Sequence, residues 1–271
     1  MIIDFHTHIF PDRIAEKTIS LLASRGGREP SFNGTEAGLL SKMRDAGVDI
    51  SICLPVVTSP KQFDSILEFA DGVNRRYGHP SERRIISFAG IHPNCDDIGG
   101  KMKLISERGF LGVKIHPDYQ DTFINDERYV EILKYAREYD LIVVTHAGVD
   151  GAYRDREVRC TPERVIDLIR RVPHEKFVLA HYGGNEMTEE VASLLCGENI
   201  YFDTGLVLDY IDDNSFKKIL DKHGADKILF ATDGPWADAE AYIARIRSLG
   251  LGEDAENKIF SENAKRLINL R

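Results

Sequence analysis

The segment "MIIDFHTHIF" places two histidines, His6 and His8, one residue apart at the end of an apolar run. Side chains alternate along a strand, so His6 and His8 face the same way. Other apolar runs end similarly: His92, His116, His146 and His181 close four of them, and the carboxylate Asp233 closes the last. Of nine histidines, only His79, His174 and His223 precede a run instead. Lys114 shares a face with His116, His146 with Ile142 and Val144, and Asp233 with Leu229 and Ala231. Gathered at one mouth, so many ionisable groups are costly to bury unless a cation pairs with them. Imidazoles with a carboxylate suit a divalent metal, zinc first, with iron, manganese or cobalt as substitutes.

The elements that must hold these residues alternate from end to end. Strand-like runs occupy 1–6, 49–57, 84–92, 110–116, 141–147, 176–182, 199–205 and 227–233. Their near-continuous Val, Ile, Leu and Phe content is that of parallel strands covered by helices. Helical periodicity fills the gaps, as in 128–139, 161–172 and 215–224. Thr161 followed by Pro162 reads as a helix N-cap and N1 pair, and Gly224 as a helix end. Eight strands alternating with helices predict an α/β fold, a (β/α)8 TIM barrel with a long β1–α1 connection, formed by residues 1–271 as a single domain. An open doubly wound sheet is the alternative, but no GxGxxG follows the first run. In a barrel the C-terminal strand ends carry the chemistry, so the six histidines and Asp233 fall on the active rim. The connection from Ile9 to Thr35, read with a short helix in its middle, belongs to the same rim.

The chain of 271 residues has a formal net charge of −9. That balance, without a basic stretch, excludes nucleic acid as the expected partner. Four scattered cysteines read as reduced thiols of a cytoplasmic protein. No run approaches the ~20 apolar residues of a membrane span, and the first residues lack the basic flank of a signal peptide.

Together these motifs resemble the amidohydrolase superfamily of metal-dependent barrels. The likeness is greatest to its amidohydrolase-related branch, which includes the aminocarboxymuconate-semialdehyde decarboxylase-like enzymes and predicted TIM-barrel hydrolases. The resemblance rests on "DFHTHIFP", "GFLGVKIHPDYQ", "THAG", "LAHYGG", "NIYFDTG", "ILFATDGPW" and the terminal "SENAKRLINL". It implies one metal held by His6, His8, His146 and Asp233, with His181 and Asp233 catalytic. His181 would stand beside the ion or ligate a second one, near Lys114, which in two-metal relatives is carboxylated but is read here as unmodified. His116 and His92 join these as candidates to ligate a second ion or to support the ligands from behind.

The implied reaction is hydrolysis of an amide, ester or lactone of a small molecule by metal-activated water. Non-oxidative decarboxylation of an unsaturated or aromatic acid is the alternative, and a non-catalytic metal-binding barrel the third. The chain is shorter than the decarboxylases, with less room for their inserted elements. A homodimer is the expected assembly.

Blander readings stand beside these. Asp233 could cap the helix after Gly234 and Pro235, and His223 could serve a helix C-terminal dipole as a cation. Arg154 reads as loop or as substrate-binding residue, and Trp236 as pocket wall or helix packing. Substrate identity is expected in the loops 11–33 and 148–160.

Overall fold

Strands covered by helices outside and by one another inside need apolar residues on both faces, and these runs provide them. The computed structural model describes residues 1–77 and 84–270; His79 lies outside them. The strands are β1 (Ile3–Thr7), β2 (Ile50–Cys53), β3 (Arg84–Ser87), β4 (Ala89–Gly90), β5 (Gly112–Ile115), β6 (Ile142–Thr145), β7 (Phe177–Leu179), β8 (Tyr201–Asp203) and β9 (Ile228–Leu229). All pairings are parallel, in the orders β1-β2-β3 and β4 through β9. β3 and β4 are the halves of the predicted run 84–92, parted at Phe88, so nine segments fill eight barrel positions. The ring closes where Phe5 N–H donates to Phe230 O at 2.9 Å and Thr7 bridges Gly234 in parallel. The chain is a (β/α)8 barrel.

Inside lie Ile3, Phe5, Ile52, Phe88, Val144, Val178, Tyr201 and Leu229, capped from below by Ala264, Leu267 and Ile268 of the closing helix. Outward residues such as Val113, Val143, Phe177 and Phe202 pack beneath the helical layer. Gly112 leaves room for the interior plug: a Cβ there would meet the Phe88 ring at 2.7 Å.

The helices α1 (Asp12–Gly26), α2 (Glu36–Ala46), α3 (Phe63–Tyr77), α4 (Ile98–Glu107), α5 (Glu127–Glu138) and α6 (Pro162–Arg171) follow in order. Then come the short α7 (Thr188–Glu190), α8 (Asp213–His223), α9 (Ala239–Ser248), α10 (Glu253–Asn257) and α11 (Asn263–Leu267). Thr161 caps α6, its hydroxyl accepting from Arg164 N–H, and Gly224 ends α8 at φ 97°.

Two expectations change. The helix after β1 is not short but runs 15 residues, from behind Pro11 to Gly27 in the left-handed conformation. His223 is no cation at a helix end: its Nδ1 accepts from Gly197 N–H, its Nε2–H donates to Ile200 O, and its ring stacks on Phe202 at 3.9 Å. Burial lowers its imidazole to about 4, so it is neutral.

Candidate metal centre

Strict alternation from Ile3 and Phe5 would turn His6 and His8 outward with Asp4. The register prevents this. Asp4 pairs with Ser51 and Thr7 with Cys53, so three steps on β1 match two on β2. The extra residue is a β-bulge that leaves both Phe5 and His6 facing the interior, and His8 follows in the new phase. Asp4 fixes the bulge from outside. Its Oδ1 accepts from His6 N–H (3.2 Å) and Thr232 N–H (3.0 Å), and its Oδ2 from the Thr232 hydroxyl (2.6 Å). On the other strands simple alternation suffices, and Lys114, His116 and His146 face the interior.

Three ligand atoms converge at the mouth. His6 Nε2 lies 3.1 Å from His8 Nε2, and Asp233 Oδ1 lies 3.2 Å from His6 Nε2 and 2.9 Å from His8 Nε2. That buried oxygen nevertheless makes no hydrogen bond. Two imidazole nitrogens and a carboxylate oxygen aimed at one point offer a cation its coordination shell, so these residues fit a divalent metal. Asp233 does not cap a helix, since the cap of α9 is Asp238, whose carboxylate accepts from Ala241 N–H.

His6 and His181 are also held from behind. His6 Nδ1–H donates to Asp203 Oδ2 at 2.9 Å, and Asp203 Oδ1 accepts from the backbone N–H groups of His181 (3.0 Å) and Gly205 (2.9 Å). A carboxylate behind the ring sets the tautomer and presents the bare Nε2 forward. His181 Nδ1 faces Gly205 O at 2.9 Å, and a carbonyl only accepts, so its proton sits on Nδ1 and its Nε2 is bare. That Nε2 stands 2.9 Å from His146 Nδ1. The far nitrogen of His146, Nε2, is buried, without a hydrogen bond, and 3.9 Å from Asp118 Oδ2, which also has none. With His181 Nε2 bare, the contact is a hydrogen bond donated by His146 Nδ1–H; moved to Nε2, that proton would face the Asp118 carboxylate and leave Nδ1 and His181 Nε2 both bare for a cation. Lys114 Nζ completes the group, 3.1 Å from His6 Nε2.

Electrostatics agree with this assignment. Burial first, then the neighbouring Lys114, holds His6 well below its ordinary range and takes His146 to about 3. Burial and then His146 take His181 to about 4. Burial opposes ionisation of Asp233, but protons of the facing His6 and His8 rings outweigh it and keep the carboxyl ionised, and a cation would take their place. Neutral imidazoles beside a carboxylate are the protonation state that metal binding requires. Burial lowers Lys114 to about 8 against the pull of Asp233 and Asp203.

A second group adjoins the first through His146. His116 stacks on His146 at 4.4 Å and on Tyr119 at 4.0 Å, and its Nε2 lies 3.4 Å from Asp150 Oδ2. His116, His146 and Asp150 bring ligand atoms within 4.8 Å of one another, as do His6, His8 and Asp233. Thus three of the four ligands expected for one ion meet, while His146 stands between the two groups.

The remaining candidates lie apart. His92 Nδ1 accepts from Asn94 N–H at 3.0 Å. Arg154 is exposed and paired with Glu186. Trp236 is half-buried, its backbone N–H donating to Asp233 O. Loops from four strands frame the mouth: α1 packs on the turn Gly151–Tyr153, Arg28 pairs with Asp209 at 2.5 Å, and Ser31 N–H donates to Pro235 O. A cavity of about 580 Å³, lined by His174, Lys176 and Arg170, opens at the opposite rim.

Sequence reasoning gave no role to Asp203, Asp118, Asp150 or Asp4. A signal existed for Asp203, which shares the inward phase of Tyr201 at a C-terminal strand end. Asp118 and Asp150 follow strand-end histidines in turns, where an aspartate is ordinary.

Solved structures with the same fold include 5-carboxyvanillate decarboxylase LigW from Sphingomonas paucimobilis, at 14% identity and TM-score 0.70, covering 100% of this chain and 99% of that one. An uncharacterised TIM-barrel protein, Bb4693 from Bordetella bronchiseptica, matches at 16% identity and TM-score 0.76, over 99% and 98%. A dihydroxybenzoic acid decarboxylase from Polaromonas sp. JS666, with bound manganese and the inhibitor 2-nitroresorcinol, matches at 14% and 0.70, over 99% and 97%. No curated protein matches by sequence. The model of the amidohydrolase family matches residues 101–270, well over half of the sequence, and the chain belongs to that family.

Proposed function

We propose that this protein is a metal-dependent hydrolase acting on an amide, ester or lactone of a small molecule in the cytoplasm. The observation that carries the reading is the convergence of His6 Nε2, His8 Nε2 and the unbonded Asp233 Oδ1. These three would hold the ion, with His146 Nδ1 as the fourth ligand and His181 Nε2 beside it. Three imidazoles and a carboxylate suit zinc or manganese. Such an ion supplies positive charge that lowers the pKa of a water towards about 7 and polarises a carbonyl.

The chain's own residues do the rest. Asp233, ionised and without a hydrogen-bonded proton on Oδ1, receives the proton of the attacking water and returns it to the leaving group. His181, neutral and with its proton held on Nδ1 by Gly205 O, offers Nε2 as a ligand or acceptor and not as a donor to the carbonyl. Lys114 is the one buried lysine or arginine among the described residues, and its ammonium can stabilise oxyanion charge.

Decarboxylation of a small carboxylic acid is the second reading, favoured by the two decarboxylases that share the fold. The acidic pair Asp118 and Asp150 disfavours a carboxylate substrate, and Arg154, the cation expected to meet one, is engaged with Glu186.

Metal content and zinc or manganese titration of the purified protein test the site. Absence of any bound or titratable divalent ion would sink it. On a panel of lactones, amides and aromatic acids, metal-dependent hydrolysis supports the first reading and carbon dioxide release the second. No turnover across the panel favours a metal-binding barrel without catalysis.

A further inference from the structure

Asp118 and Asp150 share an arrangement that the metal reading does not use. Each spends Oδ1 on the backbone: Asp118 accepts from Arg159 N–H at 3.4 Å and Asp150 from Ala152 N–H at 2.7 Å. Each turns Oδ2 towards an imidazole edge, Asp118 to His146 at 3.9 Å and Asp150 to His116 at 3.4 Å, both beyond a good hydrogen bond. Asp118 is 5% exposed, and its Oδ2 makes no hydrogen bond. No lysine or arginine side chain pairs with either carboxylate among the described residues; Arg159 turns to Asp121 instead. Two largely buried carboxylates without a cation leave negative charge uncompensated, a costly state. The wall beside them is aromatic: Tyr119 lies over His116, and Tyr153 meets Tyr119 edge-on at 5.4 Å.

Resting on the metal-site reading, we infer that Asp118 and Asp150 form the substrate subsite for a protonated amine, so that the carbonyl compound turned over is an amino-bearing one. An ammonium group presents several N–H donors, which suit the unbonded Asp118 Oδ2 and the long-contacted Asp150 Oδ2 together. His146 belongs to both groups, which places the amine site one imidazole away from the reacting carbonyl.

Hydroxamates bind metal whatever their substituent, so the substituent can be read alone. Calorimetry on the metal-loaded enzyme compares glycine and β-alanine hydroxamates with their uncharged isosteres, propionohydroxamate and butyrohydroxamate. At least one amino member should bind about tenfold more tightly than its isostere, and Asp150→Asn or Asp118→Asn should cut that ratio below about threefold. The ratio, not the absolute affinity, is the readout, and either variant suffices if the other fails to fold. Equal binding of amino and alkyl members, or a preference surviving in both variants, overturns the inference. So does a second equivalent of bound zinc that disappears in Asp150→Asn, because the pair would then serve a metal. If the alkyl hydroxamates do not bind at all, the metal reading itself falls and takes this one with it.

Discussion

Replacing Asp203 by asparagine tests the candidate centre without knowledge of the substrate. Asp203 Oδ2 accepts from His6 Nδ1–H at 2.9 Å, while Oδ1 accepts two backbone N–H groups. Asparagine keeps the shape and leaves a carbonyl oxygen for those amides, but turns an NH₂ donor towards His6. His6 must then present a bare Nδ1 to it and carry its proton on Nε2, the nitrogen that meets His8 and Asp233. Ligation now requires breaking that arrangement. Losing such an outer carboxylate costs 10- to 100-fold in metal affinity, about 1.4 to 2.7 kcal/mol.

Competition titration of the metal-free protein with zinc or manganese measures the loss directly, and urea denaturation measures stability separately. Asp203→Ala is the contrast, because it strands the N–H groups of His181 and Gly205 and lowers stability by about 1 to 3 kcal/mol for each. The reasoning fails if Asp203→Asn binds metal as tightly as wild type. It fails equally if affinity falls only in step with stability.

Four further outcomes follow from the fold. His223 is neutral and buried, with its folded pKa lowered from 6.5 to about 4. Its contribution, about 3 kcal/mol at most, is fully present above pH 6.5 and lost as pH falls towards 4, because the unfolded chain binds the proton first. The stability difference between wild type and His223→Gln should therefore shrink over that window, and a pH-independent difference would refute it. Phe5→Ala empties a position that is 0% exposed inside the barrel and should cost about 3 to 5 kcal/mol in denaturant unfolding. Asn263 Nδ2 donates to both Ala225 O and Ile228 O at 2.7 Å, so Asn263→Ala should cost about 1 to 3 kcal/mol per stranded carbonyl. Gly148 has φ 81°, and a Cβ there would stand 2.1 Å from Asn185 N, so Gly148→Ala should lower the melting temperature and displace the loop carrying Asp150.

The barrel was legible because runs with apolar residues on both faces recur between amphipathic helices, and the strand-end histidines because they break those runs on one side. What escaped was whatever does not alter a period. β1 reads as an ordinary alternating strand although its inward phase changes between Phe5 and His6, since a bulge adds a residue without marking it in polarity. The 84–92 run gave no sign of parting at Phe88, a residue as apolar as its neighbours. The helix after β1 read as short because it buries little, with Ala15 and Ile19 its only buried residues. Asp203 was overlooked because a lone carboxylate at a strand end is common. Its role lies in touching His6, 197 positions away.

The bulge in β1 also sets a rule for anyone moving this centre. A His-x-His pair copied onto a perfectly regular barrel strand, in step with an inward Phe two residues after an inward Ile, would present both imidazoles to the helices. Straightening the bulge at unchanged length should have the same effect here, leaving every ligand in the chain and none of the metal affinity, whereas deleting Phe5 would keep Ile3, His6 and His8 on one face. The centre is encoded by a count as much as by its residue types, so two chains with the same ligands in the same order can differ by a single spacer in whether they bind an ion.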